Sequence, residues 1–66
     1  MTFGQRLKIL RIIQNIKQRQ LANNLGVTPA YISLLETNQK RPSWRIMRRL
    51  AKFFGMTLSE LFEDVD

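Results

Sequence analysis

Sixty-six residues, 44% of them apolar, are enough for one domain with a single small core. Eleven Lys and Arg face five acids, a formal net charge of +6, with no Cys and no His, which excludes disulfides, zinc sites and imidazole catalysis. No run of 18 apolar residues exists to cross a membrane as a helix, and the N-terminus enters an amphipathic pattern containing Lys8 and Arg11, unlike a signal peptide.

The first helix is expected to open at Thr2, with Gln5 completing a capping box. Phe3, Leu7, Leu10 and Gln14 recur at helical spacing on one face, and Arg11 lies on its flank. Ile9 and Ile12 fall on the opposite face, as scattered surface residues or as a contact for a partner protein or another subunit. Asn15 suits a left-handed stop, and Ile16 anchors the turn.

From Gln18 to Thr37 the chain reads QRQLANNLGVTPAYISLLET. Leu21, Leu25, Ile32 and Leu35 supply the apolar contacts that two short crossing helices need. Ala22 lets those helices approach closely, Gly26 tolerates the positive φ of a sharp turn, and Val27 plugs the corner. Helix two runs from about Gln18 to Leu25; Thr28 caps helix three, with Pro29 at its first position, and it runs to about Glu36. This is the spacing of a helix-turn-helix, whose second helix enters the major groove of DNA.

A polar, basic loop follows from Thr37 to Pro42, with Asn38 expected in the left-handed region. Ser43 caps helix four, for which Trp44, Met47, Leu50, Ala51 and Phe54 are the expected inner face. Gly55 ends it, and Thr57 caps a short fifth helix with Leu58, Leu61 and Phe62 inward. The fold class is therefore all-α, five helices in one domain over 1–66, with no repeat, linker or low-complexity stretch.

Charge is distributed as unevenly as it is unbalanced. All eleven basic residues precede Ser59, where Glu36 is the only acid; Glu60, Glu63, Asp64 and Asp66 close the chain. Such a balance favours a polyanion as partner, against the plainer reading of a solvated basic surface. Catalysis finds no support: the C-terminal acids have no cleft to flank, and Ser33 and Ser43 have no His to activate them. No cofactor, metal or small-molecule ligand is expected.

Taken end to end, the chain resembles the Cro/C1-type (XRE) DNA-binding domains, the lambda-repressor-like type. The resemblance runs through Phe3, Gly4, Leu7, Leu10 and Arg11, then Gln18 through Ser33, then Glu36, Pro42 and Ser43, and finally Leu50 through Phe62. Two departures stand out: Asn38 where the family usually has Gly, and Lys17 in place of the usual Ser or Thr cap.

The resemblance implies a cytoplasmic transcriptional regulator, most simply a repressor, that binds a two-half-site operator as a homodimer. The alternative is an antitoxin or controller-type module that binds a partner protein as well as double-stranded DNA. A module that had lost DNA binding would be expected to lose the basic residues Lys40, Arg41, Arg45, Arg48 and Arg49, which are present. Base-facing positions fall on Thr28, Pro29, Ala30, Ser33 and Leu34. Phosphate contacts fall to Gln18, Arg19, Tyr31, Asn38, Lys40, Arg41 and Ser43, helped by helix N-termini. Arg11 and Glu36 are expected to form a partly buried ion pair. Phe54, Met56 and Phe62 are expected at the dimer interface, although Phe54 and Phe62 also suit completion of the core.

Overall fold

The computed structural model describes Met1–Asp66 as five helices: α1 (Phe3–Ile13), α2 (Gln18–Leu25), α3 (Pro29–Glu36), α4 (Trp44–Phe54) and α5 (Leu58–Leu61). Side-chain hydroxyls start four of them. Thr2, Thr28, Ser43 and Thr57 each accept the backbone N–H three residues on, at 3.1–3.2 Å. Residues in the left-handed region stop the chain where it must turn: Asn15 after α1 (φ 56°), Gly26 after α2 (φ 71°) and Gly55 after α4 (φ 66°). Asn38, at φ 62°, does the same beyond α3.

The core is built from Leu7, Leu10, Leu21, Ala22, Leu25, Ile32, Leu35, Ile46, Leu50, Ala51 and Leu61. Every helix contributes, and α3 packs against both α1 and α2. Ala22 is completely buried where α2 crosses α3. Phe62 closes the far side by stacking on Phe3, with ring centroids 4.9 Å apart.

Two expected inner residues lie outside. Trp44 is 62% exposed, and the buried position in the first turn of α4 belongs to Ile46. The buried stripe is centred on Ile46 and Leu50; Trp44 sits on its shoulder, in line with Arg48 and Lys52 at four-residue intervals. Gln14 is also exposed, because α1 ends there and the chain turns before another apolar position is needed.

Close packing of α1 on α3 makes Gly4 obligatory. A β-carbon there would stand 2.5 Å from the carbonyl oxygens of both Leu35 and Glu36, and 2.8 Å from Asn38 Oδ1. Asn38 Oδ1 instead accepts the Gly4 N–H at 2.9 Å, and its Nδ2 donates to Thr2 Oγ1 at 2.8 Å. The loop after α3 is thereby fastened to the first turn of α1. In an ordinary helical position, Gly→Ala stabilises by about 0.5–1 kcal/mol. Gly4→Ala is expected to destabilise by about 1–3 kcal/mol, a midpoint loss of roughly 4–8 °C per kcal/mol in a domain this small. Thermal unfolding followed by circular dichroism checks the sign.

Candidate nucleic-acid interface

Helix α3 presents two unlike sides. Ile32, Leu35 and Glu36 are buried inward, while Pro29 and Ala30 are exposed and Ser33 and Leu34 half-buried on the outer side. Leu34 is not part of the core cluster, so its side chain is free to face a ligand. The outer side carries no charge and little hydrogen-bonding capacity beyond the Ser33 hydroxyl. Thr28 Oγ1 is occupied by the Tyr31 N–H. Tyr31 leans on the core, and Lys40 Nζ sits 5.9 Å from its ring centroid, which holds a cation of the following loop beside α3.

The start of α2 differs from every other helix start in the molecule. Lys17 occupies the cap position, and an ammonium has no lone pair to offer. Only the reverse half of a capping box forms: the Lys17 N–H donates to Gln20 Oε1 at 2.7 Å. The backbone amides of Gln18, Arg19 and Gln20 have no hydrogen-bond acceptor. An open groove of about 740 Å³ runs from these amides to Pro29, lined by Arg11, Lys17, Gln18, Arg19 and Gln20. Free amides, the positive end of the helix dipole and adjacent cations give this edge a chemistry that favours an anion.

Beneath that edge lies Glu36, whose side chain is 3% exposed. Arg11 grips it with two hydrogen bonds, Nε to Oε2 at 2.6 Å and Nη2 to Oε1 at 3.1 Å. Arg11 Nη1 also donates to the Ile16 carbonyl at 2.9 Å, which fixes the turn between α1 and α2. Gln18 Nε2 supplies a third bond to the carboxylate, at 3.1 Å to Oε1. No buried polar side-chain atom is left without a partner. The single acid near the interface is thus enclosed and neutralised.

Other expected contact residues are placed as follows. Arg19, Lys40, Arg41 and Ser43 are exposed, with Ser43 Oγ accepting the Ile46 N–H. The side-chain amide of Gln18 is taken up by Glu36 and that of the exposed Asn38 by Gly4 and Thr2, leaving Gln18 its free backbone amide as the group available to an anion. Phe54, Met56 and Phe62 are half-buried and pack against the core; Phe53, next to Phe54, is 36% exposed. Sequence reasoning missed Arg49, whose Nη1 donates to the Leu25 carbonyl at 3.0 Å and so caps the C-terminal end of α2. Nothing local marks that role, because the two residues are 24 positions apart.

Two short helices crossing at a glycine turn, the second with its outer side bared between cationic edges, define a helix-turn-helix DNA-binding domain. The helix-turn-helix family model matches residues 7–61, and the chain belongs to that family, in its Cro/C1-type (XRE) branch. The chain is 35% identical over 57 residues to the HTH-type transcriptional regulator MJ0272 of Methanocaldococcus jannaschii, covering 86% of each chain. It is 34% identical over 61 residues to the HTH-type transcriptional regulator PuuR of Escherichia coli, covering 92% of this chain but only 33% of PuuR. In fold it is similar to the P22 c2 repressor, solved in complex with a synthetic operator, with a TM-score of 0.86, 24% identity and 92% of each chain covered. The protein is a DNA-binding transcriptional regulator of the helix-turn-helix class. None of its helices is long and apolar enough to cross a membrane.

Removing one member of the Glu36 network strands the others. Glu36→Ala leaves the Arg11 guanidinium buried without a counter-charge, a loss of about 3–5 kcal/mol. A domain of this length has only about 3–10 kcal/mol in total. Denaturant titration should therefore find the variant stripped of about a third or more of its stability. Gln18→Ala, which deletes one hydrogen bond to a charged group, should cost about 1.5–3 kcal/mol.

Proposed function

We propose that the protein is a transcriptional repressor that binds a two-half-site operator as a homodimer, with α3 of each copy in the major groove. The observation that carries this reading is the uncharged outer side of α3, flanked by the three free amides of α2 and by Lys40 and Arg41 of the following loop. Phosphates on either side of the groove meet donors there, and no carboxylate opposes them, because Glu36 is already taken. Such contacts fix register and affinity without reading sequence.

Bases are read mainly through shape and methyl groups. Pro29, Ala30 and Leu34 offer apolar surface to thymine methyls, and Ser33 can donate to or accept from either base type. No Arg, Gln or Asn occupies the outer side of α3 to pair bidentately with guanine or adenine. The operator half-sites are accordingly T-rich, with further discrimination from groove width and bendability.

A single α3 covers too few base pairs for useful selection, which favours two-fold pairing across about one helical turn. The end of α4 and the segment after it offer the surface: Phe53 is partly bare, and Phe54, Met56 and Phe62 expose the parts the core does not cover.

Three measurements test the proposal. A dimer making about 6–10 phosphate contacts should lose some 10³–10⁵-fold in affinity between 50 and 200 mM salt; a flat salt dependence contradicts it. Uracil in place of thymine at contacted steps deletes only the methyl group and should weaken binding there. An operator that requires a guanine and ignores the uracil change would refute the reading of α3. Finally, Phe53→Asp, at an exposed position, should shift sedimentation toward monomer and weaken operator binding, leaving the helical content intact.

A further inference from the structure

A row of side chains on α1 is used neither by the core nor by the proposed DNA contact. On α1, Ile9, Ile12 and Ile13 are 40%, 58% and 70% exposed. Their spacing, i, i+3 and i+4, brings them together as one apolar row about 6 Å long. They lie opposite Gly4, Leu7 and Leu10, the residues that face α3, so the row points away from the recognition helix. Helix stability does not call for them. β-Branched isoleucine is a poorer helix former than the Gln or Lys found at Gln5 and Lys8 of the same helix. The row runs on at Ile12 into a shallow depression of about 390 Å³ shared with Ile16, Asn15, Lys17 and Gln20.

The rim has one sign. Lys8, exposed, precedes Ile12 by one turn, and Lys17, exposed, borders the depression; neither has an acid within ion-pair distance. No acid occurs before Glu36, and Glu36 is buried. A second copy docked by the same face would bring these lysines against their own kind, which opposes self-pairing. Nucleic acid gains nothing from an aliphatic row without donors.

We infer that the outer face of α1 is a docking surface for an amphipathic, acid-flanked helix of another protein. Its apolar side chains lie against Ile9, Ile12 and Ile13, one of them enters the depression at Ile16, and its carboxylates reach Lys8 and Lys17. This is helix-on-helix recognition by anchors at i, i+3 and i+4, with charge setting the choice of partner. The isoleucine row faces away from α3, but Lys17 and Gln20 border both the depression and the groove at the start of α2, so partner and DNA meet at Lys17. The inference is independent of the operator reading.

The test uses synthetic 20-residue helical peptides with leucines at i, i+3/i+4 and i+7, in one form flanked by Glu and in another by Lys. Titration into the ¹⁵N-labelled full chain should show the Glu form shifting the amides of Ile9, Ile12, Ile13 and Ile16, and the Lys form binding at least tenfold more weakly. Ile12→Gln with Ile13→Gln should weaken the Glu peptide at least tenfold, leaving melting temperature and DNA affinity unchanged. Failure of the wild-type chain to bind any DNA would undo the function proposed above and not this inference. Equal binding of both peptides, no shift on α1, or shifts centred elsewhere would overturn it. So would a dimer that dissociates in the Ile12/Ile13 variant, or capture of the wild-type chain by anionic lipid vesicles that the variant escapes. Those last two outcomes would assign the face to a second copy or to a membrane surface.

Discussion

Burying the carboxylate of Glu36 forces two other helices to converge on it. Desolvating a charge is expensive unless partners replace the water on most of its lone pairs. Arg11 from α1 and Gln18 from the first turn of α2 do so, and the third arm of Arg11 secures the Ile16 carbonyl between them. The angle between α2 and α3, on which any groove-reading geometry depends, is therefore set by apolar packing and also by directional bonds. Leucines can slide over one another at little cost, whereas a forked guanidinium on a carboxylate cannot. The hydrogen bonds of Asn38 to the start of α1, and the close approach that Gly4 allows to the Leu35 and Glu36 carbonyls, fix a second contact at the C-terminal turn of α3. Between them these groups tie the C-terminal turn of α3 to both α1 and α2.

Most of the fold was legible because its signals are local. Hydroxyls at Thr2, Thr28, Ser43 and Thr57 set helix starts, and left-handed residues at Asn15, Gly26 and Gly55 set their ends. Each depends on interactions within a few residues. The misreadings concern tertiary geometry. Trp44 and Ile46 both have apolar side chains, and the period of α4 alone does not say where its stripe is centred; only the direction from which α2 and α5 approach decides. At the site, the lone acid of the first 59 residues called for a partner, and Arg11 was the cation on the right flank. That Gln18 and Asn38 would commit their amides to bonds within the chain was hidden, since either residue also suits a phosphate. Long-range bonds such as Arg49 to Leu25 leave no trace in a local pattern.

The start of α2 departs from the capping used at the other four helices, at the edge where the proposed phosphate contact falls. A serine or threonine cap is worth about 0.5–2 kcal/mol, and this chain uses one at every other helix. At Lys17 it has a cation instead, and the amides beyond it stay open. Local rules are commonly broken at sites that must meet a ligand. The open end is supported from behind, because Gln18 is anchored to Glu36 and so the amides are aimed before any anion arrives. Preorganisation of this kind lowers the ordering cost of association.

Of the eleven Lys and Arg side chains, only Arg11 takes part in an ion pair. The others crowd a body only about 25 Å in each dimension; salt screens repulsion across its full width, but near neighbours such as Arg45, Arg48, Arg49 and Lys52, which line one hollow, still repel one another. The native state is thus under electrostatic tension that the expanded unfolded chain largely escapes. A polyanion relieves that tension when it binds, so nucleic acid acts as a folding ligand as well as a target. At a hundredfold excess over its dissociation constant, the linkage is worth about 2.7 kcal/mol, a substantial share of what a domain this small possesses. Added salt divides the two properties: it eases the repulsion within the free protein and weakens its hold on DNA. Free in dilute buffer, the regulator is least secure; seated on its site, it is firmest.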